Sequence, residues 1–370
     1  MASEWKRLSL GDITELVIDY RGKTPKKLGG DWSSSGYRAL SAKNIKTGHI
    51  VQPDTIRFVD EEMYRKWMKD EVQRGDIIIT SEAPFGQIYY WDSDEKIVLS
   101  QRLFCVRVKK EYHPRFVYYY MTTEDFQGEM DGRATGTTVV GLRQPELMKC
   151  ELYCPDFDTQ KKIASILASI DAKIDTNSKI NDNLEQQAQA IYSNFIEMCD
   201  STEVPLTKIA TIKYGKGLPK SKLQTEGYPV YGGNGIIGYY HTCMYDKPQI
   251  LISCRGAASG NIIISEPNSF VTSNSLVVEL RDYRYFEFLK QHLLANPLYA
   301  YATGSAQPQI TIDNLRNAVV PYPEFCEIDA ITAQLSSISN TVFSLTSENK
   351  VLAELRDALL PKLVSGEIES

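Results

Sequence analysis

Between residues 158 and 199 the apolar positions step by four and three residues in alternation: Ile163, Leu167, Ile170, Ile174, then Asn177 and Asn181, then Leu184, Ala188, Ile191 and Phe195. This spacing is a heptad seam and predicts an α-helix with one apolar stripe. No Pro or Gly interrupts the run after Pro155, and at 1.5 Å per residue it makes a rod of roughly 60 Å. An amphipathic rod of that length needs a partner for its stripe. A shift of 168 positions supplies one, placing Ile163 on Ile331, Leu167 on Leu335, Ile170 on Ile338, Ile174 on Val342, Asn177 on Leu345, Asn181 on Asn349, Leu184 on Leu352, Ile191 on Leu359 and Phe195 on Leu363. Two copies in one register favour a coiled coil over two unrelated core helices. Asn181 and Asn349 hold matching seam positions, where a polar residue lowers stability but fixes register, so they are read as specifiers of how the helices meet.

The stretches between the rods follow a shorter period. Tyr37 to Ile45, Gly75 to Thr80 and Val98 to Val108 are β-rich runs bounded by turn residues, Ser81 to Ile88 is a loop with Pro and Gly, and the Tyr-rich Pro114 to Thr123 is a helical candidate. The plan returns further along: Leu206 to Ile209 matches Leu10 to Ile13, Gly227-Tyr228 matches Gly36-Tyr37, Ile250 to Ser253 matches Ile77 to Thr80, with Gly260 near Gly86. Val271 to Val278 matches Leu99 to Val106, and Ala302 to Ser305 matches Ala134 to Thr137. The chain therefore divides into 1–157, a mixed-sheet domain; 158–200, the central helix; 201–326, the same domain again; and 327–370, the second helix.

Composition narrows the classes. At 370 residues, with 42% hydrophobic and 24% charged, the chain has the make-up of an ordinary globular protein. No apolar run of membrane length and no signal-peptide pattern is present, so an intracellular setting is expected. Seven scattered cysteines argue against a disulfide framework, and the close pair Cys150 and Cys154 lacks further ligands at zinc spacing. The net charge is −6, but most of the acidity sits on the helices, leaving the two globular stretches at −1 and +2. A basic face on each is compatible with that balance.

The opening Leu10-Gly11-Asp12-Ile13, Pro155 with Gln160 and the run IASILASIDAKI from Ile163 to Ile174, and the closing Leu359 to Ile368 resemble the specificity subunits of type I restriction-modification systems. The order of domain, helix, domain, helix carries the resemblance over the whole chain. It implies an α+β architecture: two tandem mixed α/β target-recognition domains, separated and joined by two long helices that form an antiparallel coiled coil. It implies a subunit that reads a bipartite, asymmetric site in double-stranded DNA and whose helices set the gap between the halves. The implied partners are two methyltransferase subunits, which use S-adenosylmethionine to methylate adenine at N6, and motor-nuclease subunits, which need ATP and Mg and cleave unmodified DNA.

The residues themselves agree that this chain is not the catalyst. It lacks the Asn/Asp-Pro-Pro-aromatic loop and the Gly-rich cofactor turn of an amino-methyltransferase, and it lacks a phosphate-binding P-loop. Asp54 with Asp94-Glu95-Lys96 has the residue types of a Mg-dependent nuclease but reads as a solvated hairpin. No cofactor or metal is expected on this chain. A different class, a non-catalytic scaffold whose repeated domains bind protein or carbohydrate, fits the duplication as well.

Base reading needs side chains that pair with base edges, and phosphate contacts come from cations, small hydroxyls and backbone amides. Loops at equivalent places in both domains are the candidates. In the first domain these are Arg21, Lys23, Thr24, Lys43, Asn44, Gln101, Arg102, Thr135, Gly136, Thr137 and Arg143. The second offers Lys216, Asn234, Arg255, Ser273, Asn274, Thr303, Gly304, Ser305, Gln307 and Gln309. The Thr-Gly-Thr and Thr-Gly-Ser turns are the expected phosphate anchors, since Gly lets backbone approach closely.

Overall fold

The computed structural model describes residues 5–136, 140–304, 307–323 and 325–368, without the side chains of 325–327 and 330. It contains two compact units, Met1–Asp175 with Asn349–Ser370, and Thr176–Glu348. Each unit thus takes one globular stretch together with parts of both long helices.

The strands of the first unit are β1 (Lys6–Ser9), β2 (Thr14–Ile18), β3 (Tyr37–Leu40), β4 (Ile45–Lys46), β5 (His49–Ile50), β6 (Arg57–Val59), β7 (Ile77–Thr80), β8 (Ile88–Tyr90), β9 (Val98–Leu99), β10 (Leu103–Val108) and β11 (Glu151–Cys154). A central sheet runs β2-β10-β7-β8, a second runs β6-β3-β9, and β1 pairs with β11. Side chains of a strand alternate between faces, and the central sheet is buried on both. Ile77, Ile79, Phe104 and Val106 join one core, while Ile78, Leu103 and Cys105 join another. The first core is closed by the Tyr-rich helix Pro114–Met121 and by Ile163, Ala164, Leu167, Leu360, Leu363 and Val364 from the long helices. The second core takes the β3 sheet and the helix Glu61–Trp67, whose Trp67 is wholly buried.

The second unit repeats this order. Its strands are β12 (Ser201–Pro205), β13 (Ala210–Tyr214), β14 (Tyr228–Gly232), β15 (Gly235–Tyr240), β16 (Ile250–Ser253), β17 (Ile262–Ile264), β18 (Phe270–Val271), β19 (Ser275–Leu280) and β20 (Val319–Pro323). They assemble as β13-β19-β16-β17, β15-β14-β18 and β12-β20. Ile250, Ile252, Leu276 and Val278 face one core, and Leu251 and Val277 face another with Tyr231 and Val271. The internal repeat read from the sequence is therefore a repeat of topology. Gly36 and Gly227 show why the first residues of the match are glycines: both have a left-handed backbone, with φ of +118° and +123°. A Cβ there would lie 2.4 Å from the Val59 carbonyl oxygen or 2.6 Å from that of Tyr240, closer than any side chain tolerates.

The long helices span Phe157–Met198 and Phe325–Ser365, starting one and two residues before the expected bounds and ending short of them. Every described seam position from Ile163 to Phe195 and from Ile331 to Leu363 is buried or half-buried, among them Ile174, Leu184, Ile191, Ile338, Val342, Leu352 and Leu359. In each unit the two helices run antiparallel. In the first, Asp171 meets Arg356 at 2.9 Å and the Asn349 side-chain amide donates to the Ile174 carbonyl at 3.3 Å. In the second, Asn177 donates to Glu348 at 2.8 Å and Asn181 to Thr346 at 3.1 Å. Asn181 and Asn349 each meet, within their own unit, a polar group on the other helix. Apolar packing lies further along: Ala188 and Tyr192 share a cluster with Ile328, Ile331, Leu335, Tyr285 and Phe288.

Candidate nucleic-acid interface

In the first unit the loops between strands converge. Arg21, Gly22, Thr24, Lys27, Glu82, Gln101 and Arg102 line one cleft. Backbone hydrogen bonds build it: Ser81 N–H donates to the Arg102 carbonyl at 2.9 Å, Leu142 N–H to the Ser81 carbonyl at 3.0 Å, and Ala42 N–H to the Gln101 carbonyl at 3.1 Å. Thr135 and Gly141 exchange two backbone bonds, at 2.9 and 3.0 Å, and Glu82 bridges to Gly141 as well. The turn carrying Thr135 and Gly136 is so tied to the cleft. Arg143, exposed, caps the short helix Gln144–Leu147 beside it.

Among the first domain's candidates, Arg21, Lys23 and Asn44 are engaged within the protein. Arg21 is held by Asp19 at 2.8 Å and lies 3.9 Å over the Phe104 ring. The Lys23 ammonium turns inward to the Trp67 carbonyl at 2.8 Å and over the Tyr20 ring, and burial pushes its pKa down. Lys23 therefore pins the loop and is withdrawn as a phosphate contact. Asn44 is corrected in the same way: it is wholly buried, accepts from Ser41, and donates to Thr55 at 2.9 Å, closing the turn Ala42–Asn44 that ends β3. An amide so committed has nothing left for a base edge. Lys43, on the same turn, is exposed.

The second unit makes the same framework from different side chains. Cys254 N–H donates to the Asn274 carbonyl at 3.2 Å, Ile310 N–H to the Cys254 carbonyl at 3.0 Å, and Thr303 and Gln309 exchange bonds at 2.9 and 2.8 Å. Arg255 bridges to Gln309. Ser273 N–H donates to the Lys216 carbonyl at 3.2 Å, and the backbone of Gly233, next to Asn234, lies against Asn274. Lys216, Asn234, Arg255, Asn274, Thr303, Gly304 and Gln307 are exposed there, with Ser273 and Gln309 half-buried. Ten sequence candidates in the second domain thus reduce to one patch, except that Ser305, like Thr137 in the first, lies outside the described residues.

A family model for the type I restriction modification DNA specificity domain matches residues 2–186 and again 198–355. The chain belongs to this family. Over 99% of its length it is 23% identical to the type I restriction enzyme MjaIX specificity subunit of Methanocaldococcus jannaschii, covering 94% of that protein. Over 34% of the chain it is 29% identical to the EcoprrI specificity subunit of Escherichia coli, covering 31% of that subunit. The crystal structure of a type I restriction-modification S subunit from M. genitalium shares the fold, with a TM-score of 0.61 at 18% identity, covering 98% of this chain and 96% of that one. As a specificity subunit the chain is the recognition component of its system and not a catalyst.

The remaining polar clusters fit that assignment. Asp94 and Asp92 both pair with Arg74, Glu95 pairs with Arg38, and Lys96 pairs with Glu71 at 2.8 Å. The nuclease-like tripeptide is divided among three separate ion pairs, and Asp54 sits on the turn Pro53–Thr55. Cys150 and Cys154 are buried free thiols whose pKa values burial pushes up to about 11 and about 12. Among the described residues no group of His, Cys, Asp and Glu converges as a metal would require, and no helix is long and apolar enough to cross a membrane. Glu82 and Gly141 join the candidate interface without being among the residues selected from the sequence, whereas Lys27 belongs to the basic run Arg21, Lys23, Lys26 and Lys27, which the sequence offers as a solvated loop or a backbone-contacting patch. Gly141 was within reach, because the 168-residue shift sets it opposite Gln309; Glu82 was not, because its counterpart Arg255 lies 173 residues on.

Proposed function

We propose that this specificity subunit reads a bipartite, asymmetric site in double-stranded DNA, one half with each domain. The long helices carry two methyltransferase subunits, which use S-adenosylmethionine to methylate adenine at N6. Motor-nuclease subunits, with their ATP and Mg, join that assembly and cleave unmodified DNA. The chain itself binds none of these cofactors and works in the cytoplasm of a prokaryote.

One observation carries the reading: two copies of a single scaffold present the same loop positions with different side chains. A scaffold that keeps its strand order and loop backbone bonds while the side chains it presents diverge suits the reading of two unlike half-sites. The near-neutral charge of each domain fits a subunit that takes much of its phosphate affinity from partners. The test is a gel shift of the chain assembled with its cognate methyltransferase subunit, with and without S-adenosylmethionine, over duplexes that carry or scramble a methylated site. Retention of the intact site at salt that releases the scrambled duplex is expected. Equal binding to both, or none, would reject DNA reading in favour of a scaffold for protein or carbohydrate.

A further inference from the structure

The two frameworks assign positions to one another residue by residue. Ser81 and Cys254 each donate to the residue before a central strand and accept from Leu142 or Ile310, so Arg102 corresponds to Asn274 and Glu82 to Arg255. Gly141 corresponds to Gln309 through the shared bridge. At these three places the first domain carries Glu, Arg and Gly, and the second carries Arg, Asn and Gln.

In the first domain the guanidinium Nε of Arg102 lies 3.1 Å from Glu82 Oε1, and both side chains stay partly exposed, at 47% and 38%. An ion pair in that setting adds little stability. Yet Arg102 is held at φ +66°, a conformation uncommon outside Gly and short polar residues, by the Ser81 amide on its carbonyl. Backbone strain of this kind collects at functional positions. With Nε on Glu82, the guanidinium of Arg102 keeps its two terminal nitrogens as donors. Glu82 Oε2 stands 3.5 Å from where a Cβ on Gly141 would sit, so the absent side chain leaves that oxygen uncovered.

Resting on the DNA-reading function above, we propose that Glu82 and Arg102 together are the specificity-determining pair of the first domain, taking one G·C base pair from its major-groove edge. The terminal nitrogens of Arg102 donate to guanine O6 and N7, and Glu82 Oε2 accepts from the cytosine N4 amine. An Arg fork and a carboxylate 3 Å apart match the two bases of one pair. In the second domain the same positions hold Arg255, Asn274 and Gln309, which have no carboxylate for cytosine. The half-site read there lacks this double contact.

The experiment maps methylated adenines in cells carrying the intact system with this chain or with E82Q, R102K or R102A. Co-purification with the methyltransferase subunit establishes assembly. The wild type should fix a G·C pair at one position of one half-site. E82Q, which keeps the shape but adds a donor, and R102K, which keeps the charge but loses the fork, should each relax that position on the order of tenfold and leave the other half-site unchanged. A merely structural or electrostatic pair would leave the position fixed in R102K. Assembled variants that methylate the wild-type sequence unchanged, or that lose both half-sites, overturn the proposal while DNA reading stands. A wild-type system that methylates no defined sequence overturns both.

Discussion

The two units share three sheets in the same strand order, the first adding the hairpin β4-β5, but anchor their long helices with opposite polarity. In the first, Asp171 on the central helix accepts from Tyr119 at 2.6 Å and from Arg356 at 2.9 Å. In the second, the position 168 residues later is Ser339, and the carboxylate has moved to the domain: Ser339 donates to Glu287 at 2.7 Å, and Lys290 donates to Ser339 at 2.6 Å. The junction between domain and helix is kept as a half-buried polar contact while its chemistry is exchanged. The same division governs the loops of the candidate interface, where backbone bonds are retained and side chains differ. Buried apolar positions set the fold; polar positions resting on it are free to diverge so long as each finds a partner.

The largest effect expected from disturbing this equivalence is in the helix seams. Leu167 and Leu335 are both wholly buried, each in its own unit. Replacing either with Glu should destabilise its unit by about 3–5 kcal/mol, since the new charge finds no buried partner. Chemical unfolding should show similar losses in the two variants, and a variant that keeps full stability would break the equivalence.

The polar anchors come next. Asp171→Ala leaves Tyr119 without its acceptor and Arg356 with Asp357 alone, and should cost about 1–3 kcal/mol. Ser339→Ala leaves Glu287 with Lys290 at 3.0 Å and should cost about 0.5–1.5 kcal/mol. Equal losses would mean that the two anchors are not organised differently after all.

A smaller and shared effect concerns pH. Each unit holds one histidine whose pKa is lowered below the ordinary 6.5: His113 by burial and then by Arg115 and Lys161, and His292 by burial, with Tyr192 at 2.7 Å from its Nδ1. A lowered folded pKa means that the unfolded chain takes up the proton first. The contribution is complete above about pH 6.5 and is lost as pH falls below it. Melting curves should show stability falling from pH 7.5 to 5.5, and the double variant His113→Asn, His292→Asn should flatten that slope. An unchanged slope would remove the histidines from the account.

The fold was legible wherever one periodicity ran long enough. The heptad gave both rods and the 168-residue offset gave the repeat. The strands at Ile77 and Ile250 were readable because they are short β-branched runs between turns. Side-chain commitment was not legible. Nothing local marks Asn44 as the lock of a buried turn, or Lys23 as a tie to a carbonyl 44 residues away; both depend on contacts with distant segments. Insertions between the copies also shifted the offset inside the domains, which hid the correspondence of Glu82 with Arg255 while leaving that of Thr135 with Thr303 in view.

The central claim is that each domain reads its own half of the site. Its most direct test replaces residues 201–326 with the matching domain of a relative of different specificity and maps methylated adenines by long-read sequencing in cells carrying the intact system. The account predicts that the half-site read by the second domain changes to the relative's and that the other half persists base for base. A map in which both halves change, or in which neither does, would contradict it.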